Sequence, residues 1–291
     1  MISKKLLTAA MAITLILSSS LGNAEAAPET IVLSKDNLIV LNSEINGEST
    51  AAVISQAKKL DAKLNSGLKK KLGLGDKQRL RLWVNSPGGS IQSGLEMSEA
   101  LNGLGRPVDT ITMFSASMAF QMVQNLGERM ILKNGVLMSH HANGEFSGYF
   151  GGRPTQLDAR YKLWLDRIRE LDEQTVKRTN GKQTYDSYTK EYDNEMWLTG
   201  TNAVKEGYAD RIVLVKCDES LSGVTTNSIE FFGVKISYDL DDCPLNTTPM
   251  NVRIGAPPGG MIYTASQQDE IKQNFLRNYE SKQKQVVPMH W

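Results

Sequence analysis

The sequence contains few of the side chains that bind metals and carries almost no net charge. Its 291 residues include three His and two Cys, and the formal net charge is +1. These few ligands do not have metal-site spacing, so the sequence predicts neither a metal nor another cofactor. A near-neutral chain has no field that attracts nucleic acid or an anionic membrane. Hydrophobic residues make up 40% of the chain, enough for a sizeable core.

Long apolar runs are also absent, except for a short one near the N-terminus. Residues 6–17 are apolar, follow a lysine pair, and precede the small-x-small sequence Ala24-Glu25-Ala26. This pattern predicts a secretory signal peptide over residues 1–26. A retained membrane anchor is the alternative, but the run is shorter than the roughly 20 residues that span a bilayer. We therefore expect an exported chain that begins near Ala27, in a periplasm or secreted outside the cell.

The two cysteines, Cys217 and Cys243, lie 26 positions apart along the chain. Exported proteins reach an oxidising compartment, so we predict a disulfide bond between them. Closing a loop of this length stabilises a fold by about 3 kcal/mol in the chain-entropy model. Two separate buried thiols are the alternative.

Strand-like and helix-like segments alternate through the first two thirds of the chain. The order predicts βαβ units and a largely parallel sheet, hence an α/β fold. Asn134-Gly135 predicts a turn between two short strands. The strand-like segments are 38–41, 80–84, 108–113, 129–133 and 136–139, and helix-like segments begin near 53, 90 and 116.

The clearest helical periodicity lies between Gln156 and Thr179. One face is apolar and the other is charged, which leaves open whether the apolar stripe packs on its own domain or against another subunit. The apolar face is Leu157, Tyr161, Trp164, Ile168 and Leu171, and the charged face includes Asp158, Asp166 and Asp172.

The composition changes from about Lys216 onward. Residues 224–238 are β-like, residues 247–260 are rich in Pro, Gly and Asn, and residues 266–285 suit a polar helix. We predict a C-terminal extension over residues 216–291, whose role the sequence does not reveal.

Three short segments carry residues suited to acyl transfer by a serine. That chemistry needs a nucleophile, a base that is held in place by a third group, and donors that face the developing oxyanion. Ser117 lies between a predicted strand and helix, the glycines of Asn85-Ser86-Pro87-Gly88-Gly89 offer accessible amides, and His140 and His141 end a predicted strand. Neighbouring strand residues point to opposite faces, so only one of the two histidines should face Ser117.

Each segment has a simpler interpretation when it is taken alone. The Pro-Gly-Gly sequence is typical of a plain turn, a serine such as Ser117 often caps a helix, and a histidine at a strand end is usually structural. The order of the three segments favours the joint interpretation.

Together these segments resemble the Clp protease proteolytic-subunit family of the Clp/crotonase superfamily. The similar stretches are Asn85–Gly89, Ala116–Met118, Met138–His140 and Trp197–Asp210, within a resemblance that spans Asn37 to Val215. The resemblance implies a repeated βαβ core wound as a β-superhelix, with a long handle-type helix. The Clp-like peptidase domain would cover residues 27–215, followed by the β-containing extension.

The resemblance also implies residue roles. Ser117 would be the nucleophile and His140 the base, with His141 in reserve, and the amides of Gly89 and Met118 would bind the oxyanion. The third member of the triad would be Glu195, or alternatively Asp193.

The chain departs from the family pattern in two ways. Phe114 and Ser115 stand where the family usually has glycine, and Phe120 adds bulk after the nucleophile. The acid of the triad is usually aspartate, whereas Glu195 is the aligned residue here.

The expected function is that of an exported serine endopeptidase acting on peptides or unfolded proteins. Members of the family assemble into rings, so a homo-oligomer is expected. Many of them work with an ATP-driven unfoldase, which we do not expect outside the cytoplasm.

Three alternatives stay open. The first is a hydrolase like signal-peptide peptidase, with a lysine base, and the second is a crotonase-like enzyme acting on acyl-CoA thioesters. The third is a catalytically inactive binding or scaffold protein that keeps the fold.

Overall fold

The structure, a computed structural model, describes residues 27–66, 78–143, 154–231, 233–256 and 263–284. The predicted signal peptide lies outside these ranges. The first seven strands are β1 (Glu29–Leu33), β2 (Leu38–Leu41), β3 (Leu80–Ser86), β4 (Val108–Ala116), β5 (Arg129–Ser139), β6 (Met196–Thr199) and β7 (Arg211–Cys217). The first six helices are α1 (Gly47–Asn65), α2 (Ile91–Asn102), α3 (Met118–Gln124), α4 (Pro154–Arg178), α5 (Tyr185–Tyr192) and α6 (Gly200–Glu206).

These strands form one mixed sheet that is mostly parallel. The strand order is β1-β7-β5-β4-β3-β2, every neighbouring pair in it is parallel, and β6 pairs antiparallel with the end of β5. The prediction of an α/β fold with a largely parallel sheet is confirmed. The β-superhelix, the handle role of α4 and the domain boundaries stay predictions.

Strand β5 corrects one sequence prediction. It runs unbroken from Arg129 to Ser139, without the expected turn at Asn134-Gly135. Its first half pairs with β7 and its second half with β6, while β4 follows it along the other edge with a register shift. A Cβ on Gly135 would lie 2.7 Å from the Thr112 carbonyl oxygen, so this glycine serves close strand packing rather than a turn.

The helices α1, α2 and α3 cover one face of the sheet at its β2–β4 end. Asn46 caps α1 by accepting hydrogen bonds from the amides of Glu48 and Ser49, and the Ser49 side chain completes the capping box. Between these helices and the sheet lies a buried aliphatic core that includes Leu82, Val84 and Met122. This core holds α3 against β3.

Helix α4 follows the predicted helix closely, but one residue of its charged face is buried. On the apolar stripe Leu171 is buried, whereas Leu157 and Tyr161 are 43% and 50% exposed in the single chain. Asp172, predicted on the charged outer face, is only 3% exposed. Periodicity marks a face of a helix, but it does not show which polar side chains a neighbouring element covers.

The C-terminal segment forms a small sheet of its own. Strands β8 (Val224–Phe231), β9 (Val234–Asp241) and β10 (Met250–Ile254) are antiparallel in the order β10-β9-β8. Helix α7 (Ala265–Lys284) contributes Phe275 to a core with Ile236 and Tyr238. The sequence predicted one β-like stretch and then a loop, whereas the structure forms a hairpin and a third strand.

A disulfide bond joins Cys217, the last residue of β7, to Cys243. It therefore ties the end of the main sheet to the segment that follows β9. No helix in the described ranges has the length and apolarity that crossing a bilayer requires.

Candidate active site

Ser117 lies at the tip of α3, directly after β4. Its backbone has φ 54° and ψ −125°, a conformation that is rare for a residue other than glycine. Its amide donates to the carbonyl of Met138 (3.0 Å), which fixes the sharp turn against β5. Its hydroxyl makes no capping hydrogen bond to α3, so it is available for another partner.

That partner is His140. The Nε2 atom of His140 lies 2.8 Å from Ser117 Oγ, and both side chains are half-buried. The two residues follow β4 and β5, which are adjacent parallel strands whose carboxyl ends meet at one edge of the sheet. A neutral imidazole with its proton on Nδ1 accepts the hydroxyl proton of serine in this arrangement.

His141 points away from Ser117. Its Nε2 lies 2.9 Å from Asp193 Oδ1, and its ring meets the Tyr192 ring edge-on at 4.7 Å between centroids. Both His141 and Asp193 are exposed. The structure thus brings one histidine to Ser117 and pairs the other with the alternative acid.

Glu195 directly precedes β6 and bonds to Trp197 rather than to His140. Its Oε2 accepts a hydrogen bond from Trp197 Nε1 at 3.1 Å, and within the described ranges it makes no hydrogen bond to His140. Strand β6 pairs Met196 with Ser139, so Glu195 directly precedes the last residue of the paired register, and its φ of 65° shows that it lies outside the extended strand.

The glycine turn lies against the start of α3. Gly88 and Gly89 have φ values of 92° and 136°, which favour glycine. The Ile45 amide donates to the Gly88 carbonyl (2.6 Å) and holds the turn. Neither the Gly89 amide nor the Met118 amide donates to any described group. Two residues with such N–H groups therefore line the same cavity as Ser117, and groups of this kind can serve as oxyanion donors.

A cavity of about 220 Å³ opens beside Ser117 and His140. Among the described residues that line it there is no lysine, and the described parts of the chain contain no cluster of His, Cys, Asp and Glu suited to a metal. The cavity wall includes Ile91, Met118, Gln121, Ile168, Leu171, Asp172 and Tyr192.

Asp172, which the sequence predicts on the charged face of α4, is part of this wall. The Tyr192 hydroxyl donates to its Oδ2 at 2.6 Å. Burial raises the pKa of Asp172, and hydrogen bonds with Tyr192 and Gln121 and the nearby His141 partly oppose that rise. The position of Asp172 in the cavity wall depends on the contact between α4 and α5, and no local sequence signal predicts it.

A hydrogen-bonded network lies behind the cavity. The Tyr188 hydroxyl contacts Ser139 Oγ (2.9 Å) and accepts from Gln121 Nε2 (3.0 Å), and the Thr175 hydroxyl donates to Gln121 Oε1 (2.8 Å). Burial raises the pKa of Tyr188 well above its usual range. The network connects α3, α4 and α5 to the residue before His140, so it restrains the base.

The unusual phenylalanines do not obstruct the cavity. Phe120 is fully buried and contacts the rings of Tyr188 and Tyr208, with centroids 6.4 and 5.9 Å away. Phe114 is buried and lies 6.4 Å from the Trp197 ring. Both therefore serve packing beneath the site.

Comparison with known proteins adds an independent finding. The family model described as Clp protease matches residues 22–216. The ATP-dependent Clp protease proteolytic subunit of Ligilactobacillus salivarius (strain UCC118) is 28% identical over 184 residues, which cover 62% of this chain and 85% of that protein. The ATP-dependent Clp protease proteolytic subunit 1 of Leifsonia xyli subsp. xyli (strain CTCB07) is 26% identical over 183 residues, covering 62% and 84%.

The turn geometry predicts that Gly88→Ala disrupts the site. A Cβ there would lie 2.8 Å from the Met118 nitrogen, so the turn must shift away from Ser117. We expect fluorophosphonate labelling of Ser117 to slow about 100-fold, the usual cost of a lost oxyanion donor. Gly105→Ala is the matched control, since nothing lies within 4 Å of the added methyl. Equal labelling rates in the two variants, with folding checked by circular dichroism, would contradict this account of the turn.

Proposed function

The chain belongs to the Clp protease family, and from this premise we propose that it is a serine endopeptidase that cleaves peptide bonds through an acyl-enzyme on Ser117. Membership of the family indicates a peptidase. The observation that carries the serine mechanism is the 2.8 Å contact between Ser117 Oγ and His140 Nε2.

The proposed reaction has two halves. His140 Nε2 takes the hydroxyl proton as Ser117 Oγ bonds to the substrate carbonyl carbon, whose oxygen becomes an anion facing the Gly89 and Met118 amides. When the tetrahedral intermediate collapses, the C–N bond breaks and His140 protonates the departing amine. Water, deprotonated by His140, then attacks the acyl-enzyme and releases the carboxylic acid and free Ser117.

We assign the third position of the triad to Glu195. The chain order supports this choice, since Glu195 directly precedes Met196, which pairs with the residue before His140, whereas Asp193 contacts His141. In the catalytic state the Glu195 carboxylate leaves Trp197 Nε1 and accepts from His140 Nδ1. There it would fix the tautomer and stabilise the imidazolium.

The site geometry supports this mechanism over the alternatives. Acyl-thioester chemistry of the crotonase kind uses oxyanion donors but needs no serine that is hydrogen-bonded to a base. A lysine base finds no support among the described residues of the cavity wall. In a binding or scaffold protein that kept the fold but lost its catalytic activity, Ser117 would not react with a fluorophosphonate.

A homo-oligomer, built as a ring, is part of the proposal. The relatives are named proteolytic subunits, and α4 exposes large apolar side chains in the single chain, among them Leu157, Tyr161 and Leu163. Apolar surface of this kind marks an interaction site. Peptides and unfolded proteins are the proposed substrates.

Mutation of the two central residues tests the mechanism. Ser117→Ala should abolish both fluorophosphonate labelling and peptide hydrolysis. His140→Ala should lower hydrolysis by about 100- to 10,000-fold, the usual contribution of a general base. His141→Ala is the matched control and should keep most activity. The assignment of the base would be overturned if His141→Ala lowered hydrolysis more than His140→Ala does. It would also be overturned if only the replacement of a lysine residue abolished hydrolysis.

The third position is tested by a second set of variants. Glu195→Gln should lower kcat at least about 100-fold, because the base loses the carboxylate that orients it. Trp197→Phe removes only the competing donor and should not lower kcat, and Asp193→Asn should change it little. The assignment fails if Asp193→Asn proves more harmful than Glu195→Gln in steady-state kinetics.

Export is proposed from the N-terminal pattern, and with it a peptidase that works without an ATP-driven partner. The protein recovered from its host should begin near Ala27. Its intact mass should fall by two hydrogens relative to the reduced chain, because of the Cys217–Cys243 bond. N-terminal sequencing and mass spectrometry check both points. A cytoplasmic chain that retains residues 1–26 and two free thiols would refute export.

A further inference from the structure

Asp172 places a buried carboxylate in the wall of the cavity beside Ser117 and His140. It lies in the second half of α4 and is only 3% exposed. The mechanism above gives it no role. A carboxylate so deeply buried is rare in proteins unless another group compensates its charge.

No full cationic partner compensates Asp172 within the described ranges. Tyr192 donates a hydrogen bond to it at 2.6 Å and Gln121 also acts on it as a hydrogen-bond donor, but none of the described lysines or arginines forms an ion pair with it. His141 is close enough to act on it electrostatically, yet its Nε2 contacts Asp193. Desolvation dominates the environment of Asp172 and raises its pKa. A cation brought into the cavity would relieve that cost.

The remaining wall suits the stem of a long side chain. Ile91, Met118, Ile168 and Leu171 line the same cavity and are apolar. Lysine and arginine bury their methylene stems along apolar surface while the charged end reaches a polar partner. An apolar passage that carries one carboxylate is also how a serine protease selects a basic side chain.

We propose that Asp172 is a specificity-determining residue, which gives this cavity a preference for lysine or arginine at the residue whose carbonyl Ser117 attacks. The inference rests on the proposed peptidase function and names its substrate class. Tyr192 positions the carboxylate through its hydrogen bond, and Met118 joins the oxyanion amide to the cavity wall. The start of α3 would therefore contact both the reacting carbonyl group and the side chain that the cavity selects.

The test compares peptide substrates that differ only at this residue: lysine, arginine, norleucine and glutamate. Norleucine has a stem like that of lysine but lacks the charge, so the lysine-to-norleucine ratio of kcat/KM isolates the ammonium group. With the full-length protein we expect lysine and arginine to exceed norleucine at least tenfold, with glutamate the poorest.

Three variants separate charge from structure. Asp172→Asn keeps an acceptor for Tyr192 but removes the charge, and it should reduce the lysine-to-norleucine ratio at least tenfold. Tyr192→Phe removes the hydrogen bond but keeps the charge, so the preference for lysine should persist. Asp166→Asn is the matched control, since Asp166 is an exposed acid of α4 that lines a different cavity, and its ratio should equal that of the wild type.

Labelling of Ser117 by a fluorophosphonate distinguishes a failure of the specificity proposal from a failure of the proposed peptidase function. A labelled protein that cleaves norleucine peptides as well as lysine peptides overturns the role of Asp172 and leaves the peptidase function standing. An unlabelled protein that cleaves no peptide overturns the function, and the specificity with it. The wild-type ratio is decisive even if Asp172→Asn does not fold.

Discussion

The hydrogen bond between Ser117 Oγ and His140 Nε2 is the interaction on which the whole account depends. The parallel pairing of β4 and β5 makes it, because residues that follow neighbouring parallel strands arrive at one edge of the sheet. The positive φ of Ser117 turns the hydroxyl out of the strand and starts α3 in the next residue. Strain of this kind persists only where the surrounding packing holds it. Here the hydrogen bond from the Ser117 amide to the Met138 carbonyl holds the turn against β5.

The second constraint is that α4 and α5 close the site with polar groups that satisfy one another. Gln121, Thr175, Tyr188 and Ser139 share one connected set of hydrogen bonds. A buried network of this kind stabilises a unique arrangement when each member has a partner. Asp172 lies at its margin with a hydrogen bond from Tyr192 but no ion pair to a described lysine or arginine. The network is explained by its contribution to stability. Asp172 is explained by the role that we propose for it in the cavity, where it binds a basic side chain of the substrate.

Local signals predicted much of this molecule, and long-range contacts account for the rest. Alternation of strands and helices identified the parallel sheet, and the positions of Ser117 and His140 followed from where strands end. The unbroken β5 was missed because pairing with three neighbouring strands outweighs the turn preference of Asn134-Gly135. Strand β1 was missed because its partner is β7, far along the chain. The burial of Asp172 was not predicted, because helical periodicity alone does not reveal that α5 covers it.

The most direct measurement is a crystal structure of the protein with a peptide boronic acid, which forms a tetrahedral adduct on an activated serine. The account predicts boron bonded to Ser117 Oγ, and one boronate oxygen within about 3 Å of both the Gly89 and Met118 amides. His140 Nε2 should stay within hydrogen-bonding distance of the adduct. A boronate bound at another residue, or an adduct on Ser117 whose oxygens face away from both amides, would contradict the mechanism.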